Sequence, residues 1–264
     1  MNFNWTQKRF RLEQENGKDI LVSVPSKQRF VVGKFECPSV AELRRRLADT
    51  SKGSKLEGLV FTNIGGDAGA LHRDSSNARA VFQVASQFNC LEMLGPGRRP
   101  EDGIAIYAHD KTQGPICAMA CPAALAFRNY LVNGSGQAAG RQLDLLSDVA
   151  ELLENDRYGY WDMTNGYCLP QEDDSFSDLA AKLHKSAKLR AEVASRLQVG
   201  IHWSTSVAAA DHEVCQVFCS GLPLAYSPNT PECDWVPFAR AVLEGAYEAT
   251  LAAASILAHQ RQER

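Results

Sequence analysis

The residues best suited to chemistry in this 264-residue chain fall in the stretch AHDKTQGPICAMACPAALAF, residues 108–127. A polar run, His109 to Gln113, precedes Gly114 and Pro115, and an apolar run rich in Ala and Cys follows. Pro115 suits the first turn of a helix, because its missing N–H would have no partner there, and Thr112 stands at the expected N-cap. The amides that follow point out of such a helix with partial positive charge, so they suit a phosphate without help from Lys or Arg. Asp102, His109 and Asp110, with Glu92 behind them, are the candidate general acids or bases; a carboxylate so placed orients a hydroxyl or activates water. The plainer reading of Gly-Pro at this point is an ordinary capped, buried helix.

Two other segments run from apolar into polar residues where a parallel strand would end. AVFQVASQFNCLEM, residues 80–93, turns polar at Ser86-Gln87-Phe88-Asn89, and VCQVFCSGLPLAYS, residues 214–227, runs out into Ser220, Gly221, Pro223 and Tyr226. Ligands of open α/β sheets bind beyond the carboxyl ends of the strands, so the two endings predict one shared crevice, with Phe88 stacking and Asn89 hydrogen bonding. The chain has no GxSxG, Walker loop, GxGxxG or HExxH motif, which removes the usual support for serine hydrolases, P-loop ATPases, Rossmann dehydrogenases and zincins.

Apolar runs with β-branched residues predict strands near Phe30–Val32, Leu59–Ile64, Ala80–Ser86, Ile201–Val207 and Val214–Cys219. Ser39-Val40-Ala41-Glu42 reads as a capping box opening a helix to about Leu47. Helices are also predicted over Ile116–Leu131, over one long segment from Phe176 to Leu197 stopping at Gly200, and over Val236–Leu257. Strands separated by helices imply an α/β fold with a mainly parallel sheet covered on both faces. The aromatic-rich stretch Asn155–Asp174 reads as a long loop, functional or packed as a lid.

With 28 Lys plus Arg against 31 Asp plus Glu, and no block of one sign, the charge argues against a dedicated DNA or RNA binder. No run of about 18 apolar residues occurs and the first residues are polar, so no membrane span or signal peptide is expected, and the chain reads as cytoplasmic or nuclear. The eight cysteines sit mostly in apolar runs. Without CxxC or HxxxH spacing they read as reduced, buried thiols, and neither a metal nor a cofactor is expected.

FQVASQFNCLEM, EDGIAIYAHDKTQGP, RNYL, NGY, QVFCSGLPLAYS and FARAVLEGAYEATLAAA together resemble a divergent macrodomain family related to poly(ADP-ribose) glycohydrolases, which includes bacterial effector ADP-ribosylhydrolases. The resemblance covers roughly residues 57–258. It implies a macrodomain-like three-layer α/β/α domain over 57–264 with a mixed central sheet, preceded by an extension, 1–56, packed on it. The implied ligand is ADP-ribose or an ADP-ribosylated protein, and the implied activity is removal of ADP-ribose. Phe88 and Asn89 resemble the residues that meet the distal ribose. Asp110, Thr112, Gln113 and Gly114 resemble the loop and helix start facing the diphosphate and the scissile ribose, and Ser220, Pro223 and Tyr226 a further wall. In that light Asp110 and Asn89 are the expected catalytic pair, with Asp102 an additional ligand contact. The sequence departs from the family in two respects: TQGP is not the glycine-triplet signature of the glycohydrolases, and the chain stops at AHQRQER, where family members continue into a strand and a glycine-rich loop. A non-catalytic ADP-ribose reader and a degenerate interaction scaffold are the alternatives.

Overall fold

Alternating charged and apolar residues fold the first part of the chain into an antiparallel ribbon, β1 (Phe10–Glu15), β2 (Lys18–Ser23) and β3 (Arg29–Gly33). Asn16 and Gly17 make its first turn with φ of 50° and 76°, the left-handed pair that a two-residue hairpin needs. The expected strand Phe30–Val32 lies within β3. A short strand β4 (Phe35–Glu36) follows, then α1 (Val40–Thr50), whose N-cap Ser39 accepts from Glu42 N at 3.2 Å as its sequence predicts. The computed structural model describes residues 6–52 and 60–262.

The rest of the chain supplies α2 (Ala68–Arg73), β5 (Val81–Ser86), α3 (Gln113–Ala120), α4 (Pro122–Tyr130), α5 (Ser147–Leu152), α6 (Asn155–Tyr158), β6 (Trp161–Thr164), β7 (Tyr167–Pro170), α7 (Phe176–Lys185), α8 (Ala187–Arg196), β8 (Gly200–Ser206), β9 (Glu213–Ser220) and α9 (Glu232–Gln262). The central sheet has the order β4-β8-β9-β5. β5 runs parallel to β9, whereas β8 pairs antiparallel with both β9 and β4. The molecule is thus mixed α/β, but its sheet is not mainly parallel. Only a short connection, residues 207–212, joins β8 to β9, and a link of that length returns a strand antiparallel.

β9 is buried along nearly all its length. On one face Cys219 Sγ lies 3.5 Å from Ala246 O of α9; on the other Gln216 Nε2 donates to Cys117 O of α3 at 2.9 Å. Helices therefore cover both faces. α9 is the one helix among the described residues long and apolar enough to span a membrane by length and composition. Its Phe238, Val242, Ala246, Ala249 and Ala253 are buried, and it packs on α1, α7 and α8 as well as on the sheet.

Several expected elements differ from those observed. Leu59 lies outside the described residues, and 60–64 form no strand; Phe61 is 88% exposed. The outer edge of β5, where a further strand would lie, is occupied by the start of α3. Ile116–Leu131 is two helices, because Pro122 cannot continue the first and Cys121 takes φ −125°, ψ 66°. Phe176–Leu197 divides at Ser186, which caps the second helix by accepting from Leu189 N at 3.0 Å. Nor does the 1–56 segment merely pack on a separate domain: β4 belongs to the central sheet, and buried His202 Nδ1 sits 3.0 Å from Val32 O.

Candidate functional site

Because β5 and β9 are parallel, with Ser86 opposite Ser220, their carboxyl ends lie side by side. The start of α3 is locked to this edge. Gln113 Oε1 accepts from Ala85 N and its Nε2 donates to Gln83 O, both at 2.8 Å, so one side-chain amide supplies the hydrogen bonds a further strand would make. Gly114 follows, where an added Cβ would stand 2.1 Å from Ala85 O; only glycine permits this approach. The helix is small at its mouth because backbone meets backbone there.

Ahead of α3, Asp110 Oδ1 accepts from both Thr112 N at 2.7 Å and Thr112 Oγ1 at 2.6 Å. Among the described residues Oδ2 has no hydrogen-bond partner, which leaves it open for a ligand or water. Thr112 occupies the N-cap but does not cap with its side chain, so the helix's first amides remain available.

Beyond the strand ends lies a crevice of about 350 Å³. Its lining comes from four segments: Ser86, Gln87, Met93 and Leu94; Asp110 and Thr112; Gly166 and Tyr167; and Gly221, Pro223 and Tyr226. The rings of Tyr167 and Tyr226 meet edge-on at 5.2 Å. Tyr167 donates its hydroxyl to Met93 O at 2.7 Å, and burial, reinforced by Tyr226 and Asp110, pushes its pKa well above the usual phenol value. It stays neutral. A neighbouring cavity of about 470 Å³ shares Gly221 and is lined by Gln83, Gln113, Ser220, Leu243 and Tyr247. Ser220 is 5% exposed and its hydroxyl has no partner among the described residues, so a ligand hydroxyl or phosphate in this cavity would satisfy it.

Of the residues expected from sequence, Asp110, Thr112, Pro223 and Tyr226 meet at the crevice, and Gln113 and Ser220 line the neighbouring cavity. Gly114 is buried beneath them. Three line neither cavity. Phe88 is a core side chain, 1% exposed, whose backbone N donates to Gly166 O at 2.9 Å. Asn89 is fully buried: its Nδ2 donates to Gln142 Oε1 at 2.8 Å and its Oδ1 accepts from Leu91 N at 3.0 Å. Gln142 in turn donates to Asn165 Oδ1 at 2.9 Å, so Asn89 braces the turn that precedes Gly166 and does not itself line the crevice. Asp102 is exposed and accepts from Arg99 N at 3.0 Å, closing a short 3-10 turn outside the crevice. The strand-end argument located the crevice correctly but not which side chains face it, because the chain bends sharply at Cys90, φ 59°.

Gly166 and Tyr167 are the main wall residues that the sequence reading missed. The stretch Asn155–Asp174 is no irregular loop: it holds α6 and the hairpin β6–β7, turning at Asn165-Gly166 with φ of 49° and 81°. Asn-Gly between apolar flanks is a hairpin signal and was available to find them.

Under Gly114 lies a buried ion pair, with Arg128 Nη2 3.3 Å from Glu92 Oε1. Glu92 Oε2 and Arg128 Nη1 have no further partners among the described residues. Burial raises the Glu92 pKa to about 7 against the opposing pull of Arg128. All eight cysteines are free thiols, six of them buried. Among the described residues no group of three or more His, Cys, Asp or Glu is arranged to hold a metal ion. Compared with protein-family models, curated proteins and solved structures, the chain finds no match in any of the three.

Proposed function

We propose that the crevice binds an ADP-ribose unit, free or attached to a protein, and that the protein hydrolyses the linkage of that unit. The observation that carries this reading is the convergence of Asp110, Thr112, Pro223 and Tyr226 at the carboxyl ends of the parallel pair. The finer fold reading, a macrodomain-like three-layer arrangement, draws support from the mixed sheet with helices on both faces.

In this reading the amide of Gln113, at the start of α3, meets the diphosphate with the partial positive charge of the helix end. Among the described residues Asp110 is the only carboxylate that lines the crevice. Thr112 fixes one of its oxygens, and the other accepts a proton from the attacking water. Ser220 offers its unpaired hydroxyl to the part of the ligand that extends into the neighbouring cavity. Asn89 acts as a positioning residue through Gln142 and Asn165.

A second reading, an ADP-ribose reader without turnover, is favoured by one observation: Asn89, expected to assist catalysis, is enclosed. Calorimetric titration with ADP-ribose, using NAD as the control, tests the site, and release of ADP-ribose from a modified protein tests the activity. Asp110→Asn keeps the turn with Thr112 and is expected to slow release by about a hundredfold while retaining binding. Release by the variant at the wild-type rate would remove Asp110 from the mechanism; binding without release by the wild type would make the protein a reader.

A further inference from the structure

At the opposite end of the sheet from the crevice, a groove runs between β8, the start of β9 and the end of α9. Its central part is about 310 Å³ and is lined by Lys18, Arg79, Trp203, Glu213, Leu257 and Arg261; beside Arg79 it widens into a space of about 780 Å³. Lys18 pairs with Glu213 at 2.8 Å. Arg79 and Arg261 have no acidic partner among the described residues, although Arg261 Nη2 donates to Arg79 O at 2.5 Å. Burial, and then the charge of Arg79, hold the Arg261 guanidinium below its usual value. Among the described residues the one carboxylate lining this space, that of Glu213, is already paired with Lys18, so the two guanidinium charges are in excess.

The backbone contributes a second observation. Arg79 takes φ 66°, a left-handed conformation that Gly or Asn fills more easily. Arg79 N donates to Glu213 O at 2.7 Å, and together with the Arg261 contact this holds the strained residue at the head of β5. An arginine kept where glycine is easier is a reason to look for what its side chain binds. A third observation is aromatic. Trp203 is half-buried, with its indole N–H donated to Glu36 Oε1 at 2.7 Å, and it lines the groove next to the cations. An indole fixed at its N–H offers a ring surface against which a planar base can stack.

We propose that this groove is a nucleotide site distinct from the crevice, taking a terminal phosphate monoester on Arg79 and Arg261 and the base against Trp203 and Leu257. Two surplus guanidinium charges match a phosphate dianion, and guanidinium binds phosphate through paired N–H donors. Calorimetry of the full chain with AMP, UMP, adenosine and inorganic phosphate tests it. Either nucleotide is expected to bind about tenfold or more tightly than phosphate or adenosine alone, since each of these makes only half the contacts. Arg79→Ala and Arg261→Ala change exposed side chains and are each expected to weaken nucleotide binding about tenfold. Trp203→Leu is expected to weaken the nucleotide while sparing phosphate, and Tyr226→Ala, at the crevice, to change neither. No binding of AMP or UMP, equal affinity for nucleotide and phosphate, indifference to both arginine substitutions, or loss of binding in Tyr226→Ala would each overturn the assignment. The proposed function is read separately, by ADP-ribose, which carries no terminal phosphate monoester for this groove to hold.

Discussion

Gly114 shows how much one missing methyl group decides. A Cβ there would meet Ala85 O at 2.1 Å and Glu92 Cγ at 3.2 Å, and neither the β5 backbone nor a buried ion pair yields easily. Gly114→Ala is expected to cost about 3 kcal/mol as overpacking, read as a lowered midpoint in chemical denaturation; an unchanged midpoint would mean that α3 slides freely along β5. Glu92 makes a prediction of opposite character. Its folded pKa of about 7 stands above the ordinary 4.5, so the folded state holds the proton more tightly than the unfolded chain. Its contribution is fully present below about pH 4.5 and is lost as pH rises through about 7, by about 3 kcal/mol. Glu92→Gln lacks this titration, so the stability of the wild type relative to the variant should decline across that interval and level off above it. A flat difference curve would show that Arg128 keeps Glu92 ionised throughout.

Among the elements, the β6–β7 hairpin depends most on a single turn. Gly166 sits at φ 81°, and an added Cβ would lie 2.6 Å from Asn89 Cγ. Gly166→Ala therefore combines a left-handed penalty of about 1 to 2 kcal/mol with a clash. The expected result is lost stability and, because Gly166 and Tyr167 wall the crevice, ADP-ribose binding weakened more than the global unfolding accounts for. Calorimetry at a temperature where the variant is folded separates the two. Pro122 and Ser186 illustrate a different rule. Both were readable as breakers or caps, yet the apolar periodicity on either side ran straight through them; the helices divide there because proline lacks an N–H and Ser186 reaches Leu189 N.

For the whole molecule, the N-terminal segment is part of the fold it was expected only to cover. β4 pairs with β8, Thr205 Oγ1 donates to Val31 O at 3.1 Å, and α1 packs on α9. Deleting residues 1–56 should leave a chain without a cooperative thermal transition or dispersed amide resonances, because the β8 edge and the outer side of α9 would lose their cover. A folded, ADP-ribose-binding fragment 57–264 would instead restore the boundary expected from sequence.

The sequence by itself determined the α/β class, β3, β5, β8 and β9 nearly to their ends, the capped start of α1, and the meeting of Asp110, Thr112, Pro223 and Tyr226. Those features rest on local patterning, capping chemistry and the rule that parallel strands open their carboxyl ends to a ligand. Tertiary structure alone decided which way the residues after β5 face. Phe88 and Asn89 turn inward because the bend at Cys90 and the bonds to Gly166 and Gln142 enclose them, and neither partner is near them in sequence. It also decided that Gln113 replaces a strand at the edge of β5, and that Arg79, Trp203 and Arg261 share one groove. Such pairings form only when separate segments pack together, from 28 residues apart for Gln113 and Ala85 to 182 for Arg79 and Arg261, and no periodicity within one segment encodes them.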